Sequence, residues 1–138
     1  MIYRALDVAK YINNYCKEHN IELEDNKIHK LLYYAQAHFL VYRNKCCFAE
    51  PISATYSGPF ILDLKARELN GTPSVTFSEK DINLLNEVIE KYGHSTDKEL
   101  AMWTKSQFPY KSVYDSNEMW HTITTLSIAK YFKGLWNI

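Results

Sequence analysis

The spacing of apolar residues along the chain predicts helices almost everywhere. Ala5, Val8, Ala9, Ile12, Tyr15 and Cys16 fall at helical intervals, with Lys10, Asn13, Asn14 and Lys17 opposite them. This gives an amphipathic helix over 5–19, and Asn20 is suited to closing it. A second helix starts near Asp25 or Asn26, either of which can cap it. Its stripe is Ile28, Leu31, Leu32, Ala35 and Phe39, widened by Tyr34, Ala37 and Val41. A helix apolar around that much of its girth belongs at the centre of a fold. Lys27 and Lys30 read as its solvated side. The helical period breaks at 46–56, where Ile52, Ala54 and Tyr56 alternate with Ser53 and Thr55. That pattern predicts a short strand, which Pro51 confines to an edge or a strand start. Ser57-Gly58-Pro59 then reads as the start of a weakly periodic helix over 59–69, stopped by Gly71 and Pro73.

Further on, Ser78 to Asp81 and Thr96 to Glu99 have the spacing of capping boxes. The first opens a helix through Ile82, Leu85, Val88, Ile89 and Tyr92 that ends at Gly93. The second opens a short helix through Leu100 and Trp103. Phe108-Pro109-Tyr110 is a turn or a single helical turn, and Asp115-Ser116-Asn117 is loop. Thr124 or Thr125 caps a last helix that turns Ile128, Ala129 and Phe132 inward and stops at Gly134. The expected fold class is mostly α: a compact bundle of six or seven short helices, with at most a small β element near 47–57. At 138 residues the chain fits a single domain over 1–138.

Composition changes this picture at two points. The 11 Tyr, 6 Phe and 3 Trp are a heavy aromatic load, which means either a polar-edged core or a sticky surface. The 16 basic and 16 acidic residues cancel, which disfavours a protein that binds nucleic acid by neutralising phosphates. Residues 1–9 lack the apolar core of a secretory signal, and no stretch reaches membrane-spanning length. Reduced cysteines in the cytoplasm are therefore expected.

Candidate chemistry is sparse. His19, His29, His38, His94 and His121 show no metal-ligand spacing, and no cofactor is implied. Cys46 and Cys47 are adjacent, which suits neither a mutual disulfide nor a known nucleophile signature. Gly58-Pro59 lacks the frame of a phosphate loop. Glu22, Glu24 and Asp25 precede a helix start, where negative charge is favoured by the helix dipole. The polar-aromatic loop of Lys105, Gln107, Tyr110 and Lys111 around Pro109 suits either packing or a protein interface.

Two segments carry a resemblance. Ala5-Leu6-Asp7-Val8-Ala9-Lys10-Tyr11-Ile12, followed by Lys27-Ile28-His29-Lys30-Leu31-Leu32-Tyr33-Tyr34-Ala35-Gln36, resembles the Panacea domain of SocA-like antitoxins, also seen as phage-associated GepA-type proteins. The likeness continues through Phe48, Ile52, Ala54 and Gly58-Pro59, and more weakly from Tyr92 to Phe132. The chain departs from the family pattern at Thr55, Phe60, Lys105 and Tyr110. Lys105 and Tyr110 stand where the family usually has His and Trp, so a histidine-dependent activity at that loop is not expected.

The resemblance implies an antitoxin and not an enzyme. It would neutralise a cognate protein toxin by direct binding, or, as an alternative, act as an adaptor delivering its partner to a protease. A small cysteine-dependent enzyme is the remaining alternative. The expected partner-binding residues are Tyr33, Tyr34, Gln36, Tyr56, Ser57, Gly58, Pro59, Lys105 and Tyr110. No nucleic-acid or membrane partner is expected, and self-association stays open.

Overall fold

The computed structural model describes residues 1–117 and 121–138. Its elements run α1 (Ala5–Glu18), α2 (Lys27–Tyr42), β1 (Ile52–Thr55), β2 (Gly58–Phe60), α3 (Glu79–Tyr92), α4 (Asp97–Lys105), α5 (Phe108–Lys111), β3 (His121–Ile123) and α6 (Thr125–Leu135). A 3-10 turn at Ala66–Glu68 lies between β2 and α3. The fold is mostly helical, with one small antiparallel sheet of order β2-β1-β3.

α2 is the centre. Every residue from Lys27 to Phe39 is buried, and α1, α3, α4, α6 and β2 all pack on it. The wide apolar girth read from the sequence is thus used in full. Lys27 and Lys30, expected on a solvated side, are a correction: both are buried. A helix surrounded on all sides has no wet face to offer them. Their ammonium groups are satisfied internally instead. Lys27 Nζ donates to the carbonyls of Glu22 and Gly93, and Lys30 Nζ pairs with Asp97 at 2.6 Å.

The other polar side chains of α2 are committed in the same way. The amide of Ile61 donates to His29 Nδ1 at 3.0 Å. Gln36 donates to the Phe48 carbonyl at 3.1 Å and accepts from the Cys47 amide at 2.6 Å. His38 Nε2 bonds the Tyr92 hydroxyl at 3.0 Å. These bonds join α2 to three segments: the start of the stretch after β2, the 47–48 loop and the end of α3. Leaving any one of these buried groups unpaired costs about 1–3 kcal/mol.

The remaining ends are tied down by carboxylates. Asp81 accepts from the Tyr3 hydroxyl, from Lys45 at 2.9 Å and from Arg43, which anchors the N-terminal segment and the end of α2 to α3. Asp81 therefore does not complete a reciprocal capping box, although Ser78 does accept from its amide. At α4 both halves of the expected box form, between Thr96 and Glu99. Glu24 pairs with Lys27 at 3.6 Å and accepts from the Asp97 amide, so its charge serves the start of α4 as well as that of α2. Burial would raise the Glu24 carboxyl, but hydrogen bonds from its own and the Asp97 amide, with the Lys27 charge, hold it below the usual carboxylate range.

Two expectations fail at the sheet. No helix follows Pro59. Gly58–Phe60 pairs with β1 in the register Ser53↔Phe60, Ala54↔Pro59 and Thr55↔Gly58, leaving Tyr56 and Ser57 as a two-residue hairpin loop. The Ile61 amide is taken by His29, and the imidazole stacks on Phe60 at 3.7 Å between centroids. These tertiary bonds hold the chain extended where local sequence had little helical preference. Pro59 costs the ladder nothing, because β2 is an edge strand. The second miss is β3, which pairs with β1 through Ile52↔Ile123. A three-residue strand has almost no periodicity of its own to read. The last helix also runs one residue past Gly134, with Asn137 instead taking the left-handed conformation.

The two buried histidines predict acid sensitivity. Burial pushes both His29 and His38 down to about 4 from an ordinary 6.5, with the nearby charges of Lys30 and Lys91 acting in the same direction. Both are neutral when folded, whereas the unfolded chain takes up protons below 6.5. Stability is therefore full above 6.5 and falls as pH drops toward 4, by on the order of 3 kcal/mol for each histidine. Urea midpoints across that window check this, and His38→Phe should flatten the fall. A flat profile in the parent protein contradicts it.

Candidate protein-binding face

The hairpin corner between β1 and β2 is built from inside outward. Gly58 has φ +112, which favours glycine, and a Cβ there would stand 3.2 Å from Lys30 Cε and 3.5 Å from Thr104 Oγ1. The backbone of the corner thus rests directly on the buried lysine of α2. That lysine holds Asp97 at the first turn of α4, and Thr104 near the other end of α4 is fully buried beneath the corner. Tyr33 donates to Gln107 Oε1 at 2.8 Å, and Gln107 Nε2 donates to the Tyr34 hydroxyl at 3.2 Å. Gln107 is the residue before α5, so these two tyrosines set the turn from α4 to α5. Tyr110 donates to the Thr55 carbonyl at 2.6 Å and ties α5 back to the hairpin.

The nine expected partner-binding residues therefore separate into two sets. Tyr33, Tyr34, Gln36, Gly58, Pro59 and Tyr110 are buried. Their side chains or backbone hold the corner in shape. Tyr56, Ser57 and Lys105 reach solvent. Tyr56 is 82% exposed, and Lys105 Nζ sits 5.0 Å from the centre of its ring, a cation–π contact at the surface. Burial raises the Tyr110 hydroxyl to about 12, with Tyr114 beside it adding to the shift, so it stays a neutral donor.

Sequence reading missed several exposed apolar residues of α4, α5 and α6. Met102 and Trp103 project from α4, Phe108 from the start of α5 and Leu126 from α6, all exposed. A signal was present for one of them. Leu100 and Thr104 form the buried side of α4; Met102 lies opposite it, whereas Trp103, three residues after Leu100, stands at its border and gave no such signal. Large apolar residues grouped in the open are characteristic of interaction surfaces.

The family description "Antitoxin SocA-like, Panacea domain" matches residues 28–110. The chain belongs to this family. Searches of curated proteins and of solved structures find no match. The matched span takes in α2 from Ile28 onward, the hairpin, α3, α4 and the first residues of α5, so the family region holds nearly all of the central helix and the corner. The Lys-x-x-Lys-Leu-Leu-Tyr-Tyr segment of the domain has a physical explanation: Lys27, Lys30, Tyr33 and Tyr34 are the side chains that fix the loops and helices around α2.

Cys47 is fully buried, and burial pushes its thiol well above the ordinary range, with the Asp81 charge adding to the rise. It is held as a protonated thiol. Among the described residues, no group of three or more His, Cys, Asp or Glu side chains is placed to hold a metal ion. No helix among the described residues is long and apolar enough to cross a membrane.

Lys30→Ala should destabilise the Panacea domain by about 3 kcal/mol, because Asp97 loses its buried partner. Gly58→Ala should cost about 1–3 kcal/mol through the left-handed backbone and the approach to Lys30. Tyr56→Ala should change stability by less than about 0.5 kcal/mol. Denaturant titrations check all three, and a large loss in Tyr56→Ala contradicts the division into buried supports and an exposed face.

Proposed function

We propose that this Panacea domain neutralises a cognate protein toxin by binding it directly and covering its functional surface. Membership of the SocA-like antitoxin family carries the reading. The exposed aromatic corner supports it, since tyrosine and tryptophan supply most of the binding energy in many protein interfaces. Its contact face is the corner of Tyr56, Ser57 and Lys105, extended by Trp103 and Phe108. Tyr33, Tyr34, Gln36, Gly58, Pro59 and Tyr110 act indirectly, by holding that face.

The chemistry of the interior favours binding over catalysis. His29 and His38 are neutral and engaged with the Ile61 amide and the Tyr92 hydroxyl, and the Cys47 thiol is sealed from solvent. These groups stabilise the scaffold on which the exposed face is presented.

Co-expression with the product of the neighbouring gene tests the proposal. Growth should be rescued, and the two proteins should co-purify as a stable complex. Tyr56→Ala combined with Lys105→Glu should weaken that complex about tenfold or more while leaving the fold intact. A harmless neighbour with no complex overturns the antitoxin reading. A toxin whose half-life collapses on binding replaces occlusion by delivery to a protease.

A further inference from the structure

We propose that the groove between α5 and α6 seats an acidic segment of the partner protein, an apolar anchor flanked by carboxylates. This rests on the toxin-binding reading and names the chemistry of the partner surface. The groove has a volume of about 460 Å³ and is lined by Phe108, Thr124, Leu126, Ser127, Lys130 and Tyr131. Phe108 is 62% exposed and Leu126 70% exposed, one on each wall. Two large apolar side chains facing water across a cleft offer a seat for an apolar anchor.

Charge decides what surrounds that anchor. The chain as a whole is neutral, with 16 basic and 16 acidic residues. The residues building this side are not. Among the described residues of 101–138, Lys105, Lys111, Lys130 and Lys133 stand against one acidic side chain, Asp115 in the loop after α5. Lys130 lines the groove itself, and Lys111 follows Phe108 by one helical turn. Leu126, Lys130 and Lys133 recur along one side of α6 at helical spacing. A cationic rim around an apolar seat selects carboxylates and repels basic segments. An aromatic and aliphatic floor on a neutral protein suits a polypeptide better than a phosphate backbone, which needs a net basic excess.

Selection of phage-displayed random peptides on the full chain tests this. The enriched peptides should place Asp or Glu beside Leu, Phe or Trp. A synthetic peptide of that sequence should bind more weakly as salt is raised. It should also bind about tenfold or more weakly to Lys130→Glu and to Leu126→Ser, whereas Lys80→Glu on the remote start of α3 should bind as the parent does. Circular dichroism confirms that each variant is folded.

Peptides without acidic preference, or binding to both groove variants as tight as to the parent chain, overturn the proposal. So does tighter binding of a fluorescent duplex oligonucleotide that is lost in Lys130→Glu, or a dimer of the parent chain that dissociates in Leu126→Ser. The neutralisation assay separates this inference from the antitoxin reading. If Lys130→Glu and Leu126→Ser protect cells fully and Tyr56→Ala with Lys105→Glu does not, the groove assignment falls and the antitoxin reading stands. If the parent chain fails to bind the toxin, the antitoxin reading itself falls.

Discussion

The structure depends on one constraint: a helix enclosed on every side has to satisfy its own polar side chains. α2 carries Lys27, His29, Lys30, Gln36 and His38 into the interior, and none of them reaches bulk water. Each finds a partner outside α2, Lys27 and His38 both at the end of α3. Hydrophobic burial is non-directional and drives the helices together without choosing an arrangement. The polar bonds of α2 are directional, and an unpaired one is costly, so they select the arrangement. The loop before α2, the strands and α4 are thereby held at fixed places around one rod.

That arrangement separates support from contact. The lysines and tyrosines that mark the central helix lie inside, one bond away from the surface they organise. Lys30 reaches Asp97 at the start of α4 and lies against Gly58 of the hairpin. Tyr33 and Tyr34 meet Gln107 at the turn into α5. The residues left outside, among them Tyr56, Trp103, Lys105 and Phe108, sit on short elements pinned from below. Such a surface is pre-organised, which lowers the ordering cost of association. It also lets exposed residues change without disturbing the core.

Much of the fold was legible in local sequence. α1, α2, α3 and α6 have strong helical periodicity, and Thr96, Ser78 and Thr124 cap where their spacing says they should. The errors cluster where local preference is weak and a distant bond decides. Pro59 was read as a helix start because proline suits that position, yet Gly58 pairs with Thr55 and the Ile61 amide is bound by His29. β3 has only three residues and exists because β1 offers it an edge. The site was legible as a set of residue types and not as a surface. Nothing in the spacing of Tyr33 and Tyr34 distinguishes a tyrosine whose hydroxyl meets Gln107 inside from one, such as Tyr56, that stands in solvent.

By itself, then, the sequence determined the helical class, the central position of α2 and the family, because periodicity, capping and the Lys-x-x-Lys-Leu-Leu-Tyr-Tyr segment are local and survive without coordinates. Tertiary structure alone decided which members of that segment are buried, since the sign of an exposure depends on what packs around a helix and not on the helix. It also decided that Lys30 is an internal ion-pair partner instead of a solvated charge, and that Phe108 and Leu126 stand across one groove. Residues far apart in the chain become neighbours only when the bonds that fix their elements have formed.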